Sequence, residues 1–431
     1  MLTAELKKRF SALRSLTLDG PDMAIRPPGV GLKHIARAYG AELESLWIKD
    51  LDVSPGDLQA VAADAPNIND LRLTCSLGAR SEDLGCVLDA ICSMTSLTSL
   101  DLEHPAGHLK YQRSMRGLRH LTRLEALKCN LNVGSCMEEL IPQMTRLRKL
   151  HLGASLAPPF LRPITQLQHL WHLTVHAPHD LSLLMDMVAP IQALRKLCLT
   201  NPSPMHGQRA YMRPALDELD DDYIALAVAP QVTDLALVSV ELARGAMWDV
   251  ARALRGLVTL ELADCVLEAF ELQDLEHISG LKQLTVNDEG RSRLDADLCG
   301  ALALAGLKHF PSMQTLNVTS MSGIEVLLGG DISCLMSATL VELKLAFRGV
   351  PSAVSVDALV HAIQSAPKLQ KLQLHKVLDL PPYRPEASSE EGDTSSPRDQ
   401  ANADLIRRVH QAAPNLKRLD IDTDSWTWRQ S

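Results

Sequence analysis

Leu97-Thr98-Ser99-Leu100-Asp101-Leu102 returns in kind as Leu147-Arg148-Lys149-Leu150-His151-Leu152 and as Leu257-Val258-Thr259-Leu260-Glu261-Leu262, and this six-residue pattern decides the fold. Apolar residues hold positions 1, 4 and 6. Working outward from these stretches finds fifteen copies, including Leu13/Leu16/Leu18, Leu43/Leu46/Ile48, Leu369/Leu372/Leu374 and Leu416/Leu419/Ile421. Looser copies open at Ile68, Leu124, Leu170, Leu194, Val232, Leu281, Met313 and Leu340, so the intervals run mostly from 23 to 32 residues. Self-similarity at that period is the signature of a solenoid.

Positions 4 and 6 lie two apart, so on a strand both side chains point to one face, and positions 3, 5 and 7 point to the other. The leucines therefore face inward. Between the short strands, Leu58 to Ala65, Leu84 to Cys92, Leu359 to Ile363 and Leu405 to Ala412 repeat apolar residues at three and four, the spacing of a helix. One strand and one helix per repeat cannot bury an apolar face alone. The repeats must stack, with parallel strands about 4.8 Å apart lining a concave face and helices covering the convex one. The expected fold is an α/β horseshoe, a single solenoid over residues 1–431.

A proline stands two residues before the first apolar position at Pro66, Pro230, Pro311, Pro367 and Pro414, where it ends the helix and turns the chain into the strand. At position 9, where many leucine-rich repeats carry an Asn, this chain has Leu51, Val240, Cys265, Met321 and Val377, with Asn132 the sole Asn. Long repeats and Ala-Pro junctions such as Ala65-Pro66 and Ala413-Pro414 make the chain resemble ribonuclease-inhibitor-like leucine-rich-repeat solenoids. Its repeats are most similar to the arrays of F-box leucine-rich-repeat proteins. That resemblance implies a substrate-recognition subunit of a ubiquitin ligase, but the repeats begin almost at residue 1 and leave no room for the helical F-box itself, so either this is a bare solenoid or an upstream segment is absent. A GTPase-activating solenoid is a remoter reading, since the Asn-rich repeats and terminal acidic tail of the Ran GTPase activators are lacking.

Composition fits an aliphatic solenoid: 46% of residues are hydrophobic and only 3% aromatic. The net charge of −9 argues against wholesale binding to nucleic acid or to an acidic membrane. Nine cysteines, an odd number with no Cys-x-x-Cys pair, fit reduced thiols, with Cys129 and Cys265 at positions that should be buried. No apolar run is long enough for export or membrane insertion, so a cytoplasmic or nuclear protein is expected, monomeric when free.

Three irregularities interrupt the array. Residues 378–404 contain Pro381, Pro382 and Pro385 and then a Ser- and acid-rich run, Ser388 to Pro397, which reads as a flexible insertion open to phosphorylation. Residues 201–222 carry Arg209, Tyr211 and Arg213 before the acids Asp217 to Asp222, which would stabilise the start of a helix from Tyr223. Residues 288–297 read as a longer turn. At the end, Trp426 and Trp428 read as a hydrophobic cap over the last repeat.

No phosphate-cradling glycine loop, zinc-protease motif or nucleophile elbow is present, so no enzyme activity and no cofactor are expected. His169, His172, His176 and His179, with His151 one strand away, are the most metal-like cluster. On an extended strand, however, His172 and His176 lie about 13 Å apart, too far to share an ion. The better candidate is the concave face. Its outward positions gather Lys128, Lys149, His151, His172, His176 and Lys196, read as an acid-free cationic field. Trp47, Lys49 and Arg72 project further toward the N-terminus, and Asp101 and Glu103 separate the two groups. An exposed Trp beside cations has the composition of an interface hot spot. The expected function is a non-enzymatic interaction scaffold whose face, salt-sensitive and strengthening as pH falls through about 6.5, takes an acidic segment of a protein partner.

Overall fold

The structure, a computed structural model, describes residues 13–20, 32–49, 51, 53–74, 81–103, 115–130, 136–153, 158–176, 181–200, 210–212, 228–242, 246–265, 277–287, 310–320, 336–347, 355–375, 397–422 and 426–429. Each of the fifteen repeat copies forms one strand. The chain divides into two compact units, residues 1–178 with 183–203, and residues 204–431 with 179–182.

In the N-terminal unit the strands are β1 (Ser15–Asp19), β2 (Ser45–Lys49), β3 (Asp70–Thr74), β4 (Ser99–Glu103), β5 (Ala126–Cys129), β6 (Lys149–Leu152), β7 (His172–His176) and β8 (Lys196–Thr200). They pair in parallel and in chain order, with every position facing its equivalent in the next repeat. The inward leucines make the core: Leu71, Leu73, Leu97, Leu102, Leu124, Leu147, Leu170, Leu194 and Leu197 are wholly buried. A second ladder fixes the corner before each strand. The N–H groups of Arg148 and Lys149 both donate to the Glu125 carbonyl, those of Trp171 and His172 to Arg148, and those of Arg195 and Lys196 to Trp171, all at 2.8–3.2 Å. Position 2 of every repeat is thereby stacked on position 2 of the one before it.

On the other side of the sheet, the helix Leu32–Tyr39 buries Leu32, Ile35, Ala36 and Tyr39, one helical face. The helix Pro55–Asp64 starts at Ser54, whose side chain accepts from the Asp57 N–H at 3.1 Å, with a proline in its first turn. The helix Ser81–Ser93 follows, burying Val87, Leu88 and Ile91. Helical periodicity located the last two and Val356–Gln364 to within a few residues. One strand and one α-helix per repeat is not the rule everywhere, however. The repeats opening at Leu124 and Leu147 use a one-turn helix, Met137–Leu140, and the 3₁₀ segments Ile141–Gln143 and Pro158–Gln166. Both repeats are 23 residues long. The longer repeat opening at Leu97 also uses a 3₁₀ segment, Arg116–His120, and within Pro158–Gln166 Pro163 lacks the N–H that an α-helix needs.

The C-terminal unit repeats the scheme with β10 (Asp234–Val238), β12 (Thr259–Ala263), β13 (Gln283–Asn287), β14 (Thr315–Ser320), β15 (Glu342–Phe347), β16 (Lys371–His375) and β17 (Arg418–Asp422), all parallel. Two short strands, β9 (Ala210–Met212) and β11 (Val240–Leu242), form a separate parallel pair. The last strand, β18 (Trp426–Arg429), lies antiparallel along β17 and covers its edge with backbone hydrogen bonds. This is the class read from the sequence, an α/β leucine-rich-repeat fold with a parallel sheet on one side and helices on the other. Cys129 and Cys265 are buried as expected, and Cys265 donates to the Leu237 carbonyl at 3.1 Å. The segment read as an insertion, 378–404, overlaps the helix Pro397–Ala412, whose acid and amide residues begin a turn and more before Leu405. Residues 376–396, the acids at 217–222 with the helix expected from Tyr223, the turn at 288–297, and Asn132, Met321, Val377 and His179 lie outside the described residues. Among the described residues no helix is long and apolar enough to cross a membrane.

Candidate interaction face

Positions 3, 5 and 7 form the open face of each sheet, and the register reads its rows directly. In the N-terminal unit the middle row runs Thr17, Trp47, Arg72, Asp101, Lys128, His151, Thr174 and Cys198 across β1 to β8. Neighbours in a row sit one strand spacing apart, about 4.8 Å, so each side chain is judged against the next.

At the N-terminal end, Trp47 is 37% exposed, and the Arg72 guanidinium carbon lies 5.9 Å from its ring centre, within cation–π range. Arg72 is also held at 3.2 Å by Asp70 on its own strand, and Lys49 lies 3.7 Å from Asp19 on the neighbouring one. Trp47 is thus a large apolar surface whose cationic neighbours already have carboxylate partners.

The middle of the row corrects the sequence reading. Lys128 does not belong to an acid-free field: its ammonium lies 3.3 Å from Asp101 and also meets the Glu103 carboxylate. Asp101 and Glu103 do not merely separate two groups. They absorb the charge of Lys128, because the register sets Lys128 opposite Asp101 and its long side chain reaches the position-7 acid of the same strand. Burial pushes Asp101 above the usual carboxylate range in spite of the Lys128 charge, and one of its oxygens is buried without a hydrogen-bond partner among the described residues. Burial works against charge on Lys128 too, but the hydrogen bond to Glu103 and the two carboxylates outweigh it and raise its pKa.

The third group is cationic without compensation. Lys149, His172 and Lys196 are adjacent in the position-3 row of β6, β7 and β8. Among the described residues neither lysine forms an ion pair. His172 is pushed down to about 4, first by burial and then by Lys196, Lys149 and His151. Its Nε2 lies 3.4 Å from the Thr174 hydroxyl. His151 is also lowered, by burial and then by Lys128, with Glu103 opposing. His172 is therefore neutral near pH 6.5, which corrects the expectation that it gains charge there, and His151 is shifted in the same direction. His176 is half-buried at the far end of β7. Among the described residues no three His, Cys, Asp or Glu side chains are placed to hold a metal ion.

Sequence reasoning missed three residues at this site. Trp171, 38% exposed, lies at position 2, with the Lys149 ammonium 5.2 Å from its ring centre and the His172 ring 5.5 Å away. Arg148 and Arg195 flank it in the position-2 ladder. Strand parity assigns position 2 to the inside, yet the residue sits in the corner before the strand begins, so its side chain is exposed. The signal was in the chain as Arg148-Lys149, Trp171-His172 and Arg195-Lys196, three dipeptides at one repeat position.

The face of the C-terminal unit differs. Its middle row is Ala236, Glu261, Thr285, Asn317, Lys344, Gln373 and Asp420, and Asp420 accepts from Gln373 and from Arg418, each at 2.6 Å. That surface is polar and mixed in sign.

No family model matches the chain, and no curated protein matches it either. Solved structures similar to it include an internalin (inlF) from Listeria monocytogenes, at 14% identity over 92% of this chain and 94% of that one, TM-score 0.41. The leucine-rich-repeat protein LIC12759 of Leptospira interrogans is similar at 15% identity over 97% and 92%, TM-score 0.44. TLR13 in its complex with ssRNA13 is similar at 16% identity over 85% of this chain and 60% of that one, TM-score 0.38. These likenesses concern backbone architecture alone.

Proposed function

We propose that this leucine-rich-repeat chain is a non-enzymatic interaction scaffold, an adaptor that holds a protein partner on the open sheet face of its N-terminal unit. The observation that carries the reading is Trp47, a large apolar ring left more than a third exposed on a rigid sheet and flanked by Arg72. Trp and Arg are the residues most enriched at interface hot spots, where an anchor is surrounded by groups that exclude water. Lys49, the Lys128 cluster, His151 and His176 form the polar surround, and Lys149, His172 and Lys196 supply a second contact area. Unbridged thiols support a reducing, cytoplasmic or nuclear setting, since Cys86 is free while exposed, and Cys92 is pushed up to about 12 by burial and by Asp89, which leaves it inert.

The test begins with partners captured by the full chain and identified by mass spectrometry, each then titrated singly. Trp47→Ala should weaken a direct partner by about 30-fold, the value of a 2 kcal/mol hot spot. A double charge reversal, Lys149→Glu with Lys196→Glu, should weaken acidic partners. If both variants melt like the wild type and keep every partner at full affinity, the N-terminal sheet face is not the docking surface.

A further inference from the structure

We propose that the three stacked dipeptides Arg148-Lys149, Trp171-His172 and Arg195-Lys196 form a clamp for a short carboxylate-rich segment of a partner, seated between Lys149 and Lys196 across His172. This deepens the reading of the sheet face as a protein-docking surface and rests on it. The geometry comes from the two ladders already described. Parallel register sets Lys149, His172 and Lys196 side by side, and the shared-carbonyl corner sets Arg148, Trp171 and Arg195 side by side next to them. Lys149 and Lys196 lie two strand spacings apart, about 10 Å at the backbone, and their long flexible side chains can converge on acids two residues, about 6.7 Å, apart on an extended peptide.

Charge decides which polyanion fits. Arg148 has a distant, exposed partner in Glu125 at 3.9 Å, Arg195 gives one guanidinium nitrogen to the Gln192 and Leu194 carbonyls, and neither Lys149 nor Lys196 forms an ion pair among the described residues. Lys149 and Lys196 thus flank one neutral imidazole, with Trp171 beside it. The field is short, because Glu125, Asp101 and Glu103 border it on the β4–β5 side. A continuous phosphate chain running along the face would meet those acids, whereas a cluster of two or three carboxylates would not. Trp171 is also poorly placed as a base-stacking platform, since the Lys149 ammonium already sits over its ring and His172 lies against it at a 39° tilt.

His172 reports where the ligand sits. The groups around it are Lys149 and His151 from β6, Lys196 and Cys198 from β8, Thr174 and His176 from its own strand, and Trp171 from the corner before it. Besides burial, the two lysines and His151 hold it low. A carboxylate placed between the lysines offsets that repulsion, so binding must raise the pKa of His172, and protonated His172 must in turn tighten binding.

The probe is a fluorescein-labelled eight-residue peptide of alternating Glu and Ser, with the Gln-and-Ser peptide as control, titrated into the full chain. The Glu peptide should bind, weaken with added salt, and lose about tenfold or more in affinity with Lys149→Glu and Lys196→Glu combined. Trp171→Ala should cost less, and Lys344→Glu on the other unit nothing. In NMR titrations assigned through His172→Gln, saturation with the peptide should raise the His172 pKa by about one unit or more. The clamp is overturned by no binding, by binding that survives the double reversal in a chain with unchanged melting, or by a His172 titration that the peptide leaves in place. Tighter binding of octathymidylate, lost in the same variants, would overturn it in favour of single-stranded nucleic acid. If these arms fail while Trp47→Ala still releases captured partners, the clamp falls and the scaffold reading stands.

Discussion

Leu260 tests the repeat core most directly. It is wholly buried at position 4 of β12, in register with Leu235 on β10 and Leu284 on β13, both buried as well. Leu260→Ala deletes three heavy atoms from that row. Cost then depends on whether the neighbours can close the gap, with measured Leu→Ala losses of about 2.7–5 kcal/mol. Here the backbone is pinned on both sides: the Val258 and Thr259 N–H groups donate to the Thr233 carbonyl at 2.8 and 2.9 Å, and those of Lys282 and Gln283 to the Val258 carbonyl at 2.9 and 3.0 Å. Neither neighbouring strand can move in without breaking its ladder, so the cavity stays open and the loss should approach the upper end, about 4 kcal/mol. Glu261→Ala, one residue on and exposed, should stay within about 0.5 kcal/mol. Because repeats couple mainly to their neighbours, hydrogen exchange should quicken at 235–237, 260–262 and 284–286 first, before circular dichroism registers the shifted transition. Equal losses for the two variants, or a Leu260→Ala loss under about 1 kcal/mol, would refute the inward assignment of positions 4 and 6.

Gly256 stands where two repeats touch: a Cβ there would lie 2.0 Å from the Pro230 carbonyl oxygen, a backbone atom that no rotamer change can clear. Gly256→Ala should lower stability by about 1–3 kcal/mol in thermal unfolding, while Gly280→Ala, whose nearest atom is 3.5 Å away, should be close to neutral, and parity between the two would mean that the corner is looser than it looks. Lys128→Met removes the ammonium that opposes the burial of Asp101, so Asp101 should rise further. A carboxyl whose folded pKa lies above its unfolded value binds the proton more tightly in the native state, so stability is greatest below about 3.9 and declines as pH rises through the folded value. That decline, followed by chemical unfolding at a series of pH values, should be steeper in Lys128→Met than in the wild type, and an identical pH profile would argue against the coupling.

The fold was legible because every repeat states the same thing twice, once as a period of about 23 to 32 residues and once as strand parity. Leu100 and Leu102 or Leu260 and Leu262 can be placed inward from either signal alone. What could not be read was anything set by reach rather than by parity. Aligning the repeats already puts Lys128 opposite Asp101, but only side-chain length brings Glu103 to the same ammonium, and that second carboxylate turns a supposed binding cation into a satisfied one. His172 shows the same limit in electrostatics: its row neighbours Lys149 and Lys196 were visible, yet its depressed pKa depends first on how deeply the ring sits.

Position 2 was lost for a different reason. Parity holds only within a strand, and the corner preceding it is governed by two N–H groups sharing one carbonyl of the previous repeat. That arrangement turns position 2 outward and stacks it as regularly as positions 3 and 5. Trp171, between Arg148 and Arg195, is therefore as much a face residue as Trp47, although nothing in a two-residue period says so. In a repeat array of this kind, binding residues are to be sought in the carbonyl-sharing corner as well as on the strand, and cations that meet no acid in the adjoining rows mark the candidate field. By that criterion Lys149 and Lys196, which form no ion pair among the described residues, stand apart from Lys128, whose repeat carries Glu125 at its corner and whose charge is already taken.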